Sequence, residues 1–106
     1  MGQKNLISNL KKEGVLAVVT INDIDKTNYL CEALLNGGIN MIELTLRTDN
    51  AFKIINHISK NYTDITVGAG TILSITQLEK AIESGASFGV APGIDPNVIE
   101  ESKKLN

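Results

Sequence analysis

Glu43, Thr45 and Arg47 stand two residues apart in the run Met41-Ile42-Glu43-Leu44-Thr45-Leu46-Arg47-Thr48. On an extended strand, alternate side chains share a face. Met41, Glu43, Thr45 and Arg47 then point one way, and Ile42, Leu44 and Leu46 the other. At strand rise, Arg47 lies about 13 Å beyond Glu43, too far for the two charges simply to cancel. A guanidinium fork grips a carboxylate or phosphate through paired hydrogen bonds, and a partly desolvated glutamate serves as a general acid or base. Together these are tools for keto-acid chemistry. A buried Glu–Arg pair, or an edge strand with one solvated face, would produce the same alternation without function.

Two further runs add polar or small groups where strands would end. Val67-Gly68-Ala69-Gly70-Thr71 offers two glycines that permit close approach and a hydroxyl that can donate to an anion. It is not a dinucleotide fingerprint, because Leu73 occupies the place of the third glycine. Ala91-Pro92-Gly93 sets an apolar proline after another short run, a pattern that also suits an ordinary turn. His57 is the only histidine and falls inside a helical pattern, so neither a metal cluster nor a histidine-based triad can be assembled around it. Cys31 is the only cysteine and lies among Leu30, Leu34 and Leu35, as a buried structural thiol would.

The elements that must position these residues alternate between short β-rich runs and amphipathic stretches, the mark of successive βα units. Strands are expected at Val15 to Ile21, Met41 to Leu46, Thr66 to Thr71 and Phe88 to Ala91. Asn22 or Asp23 can cap the first intervening helix, whose apolar face is Leu30, Leu34 and Leu35, and Gly37-Gly38 can end it. Thr48 or Asp49 can open the second, which carries Phe52, Ile55 and Ile58 on one side. Ser74-x-x-Gln77 forms a capping box for a third that ends near Gly85, and Asp95-Pro96 starts a last helix running to the C-terminus. Asn5 to Glu13 forms a short leading helix, placed over the base of the fold.

The 106 residues, 42% of them hydrophobic, suffice for one domain spanning residues 1–106. A net charge of -2 and no basic cluster argue against nucleic acid or an anionic membrane as partner. The longest apolar stretch, Gly14 to Ile21, is far below the roughly 20 residues of a membrane span. With no signal-peptide pattern, a soluble cytoplasmic protein is expected, and the Asn61-Tyr62-Thr63 glycosylation match carries no weight. Two α/β architectures use this repeat, an open doubly wound sheet or a (β/α)8 barrel. Length favours the first, since barrels begin near 200 residues. The polar side of the Glu43 strand favours the second, because both faces of a doubly wound sheet are covered by helices whereas a barrel turns one face toward its active-site mouth.

Gly37-Gly38-Ile39-Asn40-Met41-Ile42-Glu43-Leu44-Thr45-Leu46-Arg47-Thr48, Val67-Gly68-Ala69-Gly70-Thr71 and Ala91-Pro92-Gly93 together closely resemble, in order and spacing, the 2-keto-3-deoxy-6-phosphogluconate (KDPG) / 4-hydroxy-2-oxoglutarate (KHG) aldolase family. The resemblance covers the chain but only about half of the family's length. It implies the first four βα units of a (β/α)8 barrel, a half barrel with a short leading helix, from a commonly trimeric class I aldolase needing neither metal nor cofactor. The substrate implied is a keto acid that yields pyruvate and glyceraldehyde 3-phosphate. The roles implied are Glu43 as acid/base, Arg47 and Thr71 as binders of the pyruvyl carboxylate, and Pro92 as pocket wall. The family's Schiff-base lysine belongs to a sixth strand with no counterpart here, so the chain alone is expected to be inactive and to self-associate. Thr20 stands where many relatives carry arginine. Another sugar-phosphate barrel enzyme, an epimerase or isomerase, or a non-catalytic half-barrel or open-sheet binding module, are the alternative readings.

Overall fold

A computed structural model describes residues 2–105. Its elements run α1 (Gln3–Glu13), β1 (Ala17–Val19), α2 (Ile24–Asn36), β2 (Met41–Thr45), α3 (Ala51–Asn61), β3 (Thr66–Gly70), α4 (Ile75–Glu83) and α5 (Pro96–Leu105). The three strands form one parallel sheet in the order β1-β2-β3.

Sequential order with parallel pairing means that every crossover advances the same way across the sheet. Right-handed connections then deposit successive helices on a single face. The core confirms it: Ile42, Leu44, Val67 and Ala69 pack with Cys31 of α2, Ile54, Ile55 and Ile58 of α3, Leu78 and Ala81 of α4, and Val98 of α5. There is no reversal of strand order of the kind at which a doubly wound sheet changes face. The extents of 37 × 32 × 22 Å suit one helix layer on one sheet.

Three caps follow the expected local chemistry. Asp23 accepts from the Lys26 amide at 3.1 Å, Ser74 from the Gln77 amide at 3.2 Å, and Asp95 from the Asn97 amide at 2.9 Å. Gln77 closes its capping loop on the amide of Leu73, one residue earlier than the standard box. At the end of α2 the left-handed turn falls on Gly38, with φ 82°, whereas Gly37 stays right-handed.

Other boundaries depart from the expectation. The N-cap of α3 is Asn50, not Thr48 or Asp49, and it makes no side-chain cap. Its amide and side chain instead bond Asn22, at 3.1 and 3.0 Å, tying together the segments that follow β1 and β2. The expected fourth strand at Phe88 to Ala91 is reduced to an isolated parallel bridge, Ala69 to Gly89. Hydrogen bonds from Ala69 to Phe88 and from Val90 to Ala69 hold it against β3. Strands lengthen when paired on both sides, and this segment is paired on one. The first strand is likewise cut from Val15 to Ile21 down to Ala17–Val19 at the other sheet edge. The leading helix begins at Gln3 and has no buried residue.

Candidate active site

The sheet face away from the helix-side core carries Met41, Glu43 and Thr45 of the residues that the alternation singled out; Arg47, expected on the same strand face, falls beyond the strand. Register places Val18, Glu43 and Gly68 side by side across the three strands, with Thr45 beside Gly70 one step nearer the C-terminal end. Val18 is 65% exposed, while Glu43 is half-buried between its neighbours. Met41 is buried yet lies outside the helix-side cluster, as its place on the Glu43 face requires.

The Glu43 carboxylate lies against Gly70. A β-carbon built on Gly70 would stand 2.7 Å from Glu43 Cδ and 2.8 Å from Cγ, closer than any real contact. The next residue, Thr71, has φ 62°, a left-handed backbone that a β-branched residue rarely adopts. Such a conformation costs about 1–3 kcal/mol and gathers at functional sites. It also ends β3 at Gly70, one residue short of the expected Thr71, and aims Thr71 out of the strand's alternation.

Arg47 lies beyond the end of β2, exposed, on a loop pinned at both sides. The Leu46 amide donates to the Gly70 carbonyl at 2.9 Å, and the Thr48 hydroxyl donates to the Ile21 carbonyl at 3.2 Å. Among the described residues the only ion pair is Lys104 with Glu101, at 3.8 Å, so Glu43 and Arg47 do not neutralise each other. Glu43, Thr71 and the root of Arg47 therefore converge on Gly70. Pro92 stands apart on the segment after the fourth-strand bridge, exposed beside an open hollow of about 300 Å³ shared with Ile72, Leu73 and Ile94.

Two features escaped the sequence reading. The hydroxyls of Thr20 and Thr45 share a 2.7 Å hydrogen bond between the β1 and β2 ends, on the Glu43 side. Thr45's place between Glu43 and Arg47, and Thr20's departure from the arginine of many relatives, were the available signals; nothing in the sequence joined the two across 25 residues. Phe88 is the other: its ring covers Gly68, where a β-carbon would clash with it.

Residues expected to stand outside the site do so. Cys31 is fully buried in the core, and burial, with a smaller contribution from Glu32, pushes its thiol up to about 11. A thiol held protonated is no nucleophile. His57 sits on α3, bonded through Nε2 to Asn28 Oδ1 at 2.6 Å and through Nδ1 to Asn61 at 3.2 Å. All nine lysines, residues 4, 11, 12, 26, 53, 60, 80, 103 and 104, are exposed on helices.

A parallel sheet with a carboxylate and a hydroxyl beside its strand ends, and an arginine on the loop that follows, has the layout of α/β enzymes that work at the C-terminal edge of their strands. Comparison with known proteins gives the family: KDPG and KHG aldolase matches residues 6–106, and the chain belongs to it. It is 38% identical over 90 residues to the 2-dehydro-3-deoxy-phosphogluconate aldolase of Treponema pallidum, covering 85% of this chain and 43% of that protein. The crystal structure of the 2-keto-3-deoxy-6-phosphogluconate aldolase of Zymomonas mobilis ZM4 with 3-phosphoglycerate superposes with a TM-score of 0.89 at 34% identity, covering 98% of this chain and 49% of that one. The KDPG aldolase of Legionella pneumophila, with pyruvate captured as a covalent carbinolamine intermediate, superposes at 0.80 with 31% identity, covering 84% and 43%. The chain thus spans less than half the length of these relatives.

Proposed function

We propose that this chain is the acid/base and carboxylate-binding half of a class I, Schiff-base aldolase of the KDPG/KHG type, folded as the first four βα units of a barrel. The observation that carries the reading is the Glu43 carboxylate, seated over Gly70 on the sheet face away from the helix-side core, beside Thr71 and the pinned loop of Arg47. The pyruvate carbinolamine reported for the Legionella pneumophila relative supports a keto-acid substrate.

In the complete site, a lysine from the other half of the barrel attacks C2 of the keto acid. Glu43 relays the protons as the carbinolamine forms and loses water, leaving an iminium that acts as the electron sink. Glu43 then takes the proton of the C4 hydroxyl, the C3–C4 bond breaks, and its electrons pass to C3 as a pyruvate enamine while the aldehyde leaves. With 2-keto-3-deoxy-6-phosphogluconate the products are pyruvate and glyceraldehyde 3-phosphate. Arg47 and Thr71 hold the pyruvyl carboxylate, by paired and single hydrogen bonds, and Pro92 lines the pocket. The assembled protein is a cytoplasmic homo-oligomer, a trimer by family.

All nine lysines lie on helices, so the chain alone supplies no nucleophile to the Glu43 face. Borohydride reduction in the presence of pyruvate should leave the isolated chain unmodified. It should give a stable adduct once the lysine-bearing second half is supplied, covalently or in trans, with the adduct on that half. A reduced adduct on any lysine of this chain would overturn the division of labour. Absence of any adduct in the assembled barrel would overturn the aldolase reading itself.

A further inference from the structure

Gly68 and Gly70 lie on the same face of β3, and each receives a different side chain. A β-carbon on Gly68 would fall on the Phe88 ring; one on Gly70 would fall on the Glu43 carboxylate. Both glycines are buried, so neither gap is open to solvent. Register pairs Glu43 directly with Gly68, yet the carboxylate is seated one step further along, on Gly70. The space above Gly68 is already taken by Phe88.

We infer that Gly70 and Phe88 are positioning residues for Glu43: the missing β-carbon of Gly70 is the seat of the carboxylate, and the Phe88 ring closes the alternative seat over Gly68. The inference rests on the reading of Glu43 as the acid/base and explains how that group is aimed. With the lower seat filled, the side chain extends toward the C-terminal ends of the strands, where Thr71 and the Arg47 loop lie. The two glycines thus make room for side chains of their own fold. The second aromatic-sized gap is not interchangeable with the first: a flexible carboxylate can leave Gly70 by rotating, whereas the ring over Gly68 must move as a rigid unit.

The isolated chain suffices for the test. By NMR, Glu43 γ-protons should show contacts to the Gly70 α-protons, and the Gly68 α-protons should be shifted by the Phe88 ring. Gly70→Ala should abolish the first contact, move the Glu43 carboxyl-carbon resonance and leave the Phe88 signature in place. Phe88→Ala should let Glu43 contact Gly68. Denaturation midpoints should couple the same pairs: the drop caused by Gly70→Ala should shrink to roughly half or less in a Glu43→Ala background, and that caused by Gly68→Ala likewise in Phe88→Ala. Glu43→Asp, shorter by one methylene, should restore part of the midpoint lost in Gly70→Ala. If Gly70→Ala alone does not fold, the Glu43→Ala/Gly70→Ala pair must. An undiminished Gly70→Ala loss without Glu43, or a wild type lacking the Glu43–Gly70 contact, would overturn the inference. None of these measurements needs turnover, so they succeed or fail separately from lysine trapping.

In the barrel assembled with the second half, Gly70→Ala should lower kcat about tenfold or more with the pyruvate KM little changed. That is the split expected when an acid/base is misaimed and carboxylate binding persists. A fall in KM-dependent binding alone would assign Gly70 to substrate contact and overturn its positioning role.

Discussion

Glu43 and Cys31 lie on opposite sides of the sheet and differ in their access to water. Glu43 is half-buried on the face away from the helix-side core, whereas Cys31 is sealed among the helix-side side chains. Its thiol, raised from 9.0 to about 11, stays protonated where an unfolded chain's would ionise. Above pH 9 the unfolded state therefore binds fewer protons than the native state, and stability falls as pH rises toward 11. The loss is about 1.4 kcal/mol for each unit of pH inside that window and vanishes below it. Urea midpoints at pH 8 and pH 10.5 should diverge more for the wild type than for Cys31→Ala, which cancels the contributions of the lysines and tyrosines. Equal divergence would remove Cys31 as the cause. At this scale the shared face of Glu43 and Thr45 was readable because strand period assigns it, whereas Arg47 falls beyond Thr45, where β2 ends and the period no longer places a side chain. The left-handed backbone of Thr71 and the seat of Phe88 on Gly68 were not readable. The first is a dihedral that no composition rule assigns to threonine, and the second joins residues 20 apart through packing.

Helix caps are local, so Asp23, Ser74 and Asp95 could be identified from a few neighbouring residues. The start of α3 could not, because Asn50 is held by Asn22, 28 residues earlier. The same kind of distant polar tie joins α2 to α3. Asn28 Oδ1 accepts from the His57 ring at 2.6 Å and from the Tyr62 hydroxyl at 3.0 Å, and the His57 and Tyr62 rings meet edge to face. Asn61, one turn along α3, adds contacts to Nδ1 at 3.2 Å and to the His57 carbonyl at 2.9 Å. His57 is thus a clasp between helices, a role that its helical position allowed but did not reveal. Asn28→Ala would leave two part-buried donors without an acceptor, so it should cost about 1–3 kcal/mol by urea denaturation. A cost within about 0.5 kcal/mol, the ordinary surface value, would mean that water replaces the clasp. Strand ends were the least readable elements. β1 and the Gly89 bridge lie at the two edges of the sheet, and their length depends on neighbours that sequence pattern does not describe.

For the whole molecule, composition left the two α/β architectures undecided, and a sequential three-strand sheet fits the start of either, since the first three strands of a doubly wound sheet also lie side by side in order. One face of the sheet is packed by helices while the other presents Val18 at 65% exposure, flanked by open edges at β1 and at Gly89. Gly89 donates and accepts no backbone bond toward β3, since its neighbours Phe88 and Val90 make those contacts through Ala69. Its own amide and carbonyl remain available to a further strand. Unpaired edges beside the exposed apolar Val18 favour association, and a net charge of -2 offers little repulsion against it. The isolated chain should therefore elute above the mass of a monomer, with light scattering that rises with concentration. Val18→Lys replaces an exposed apolar side chain on the edge strand by a charge that pairing would have to desolvate, so it should preserve the helical circular dichroism while shifting the population toward monomer. A wild type that remains a monodisperse monomer across the micromolar range would show that the open face is stable in water. That result would count against closure of this sheet by a second half, because a face that needs no partner gives the other half little apolar area to bury.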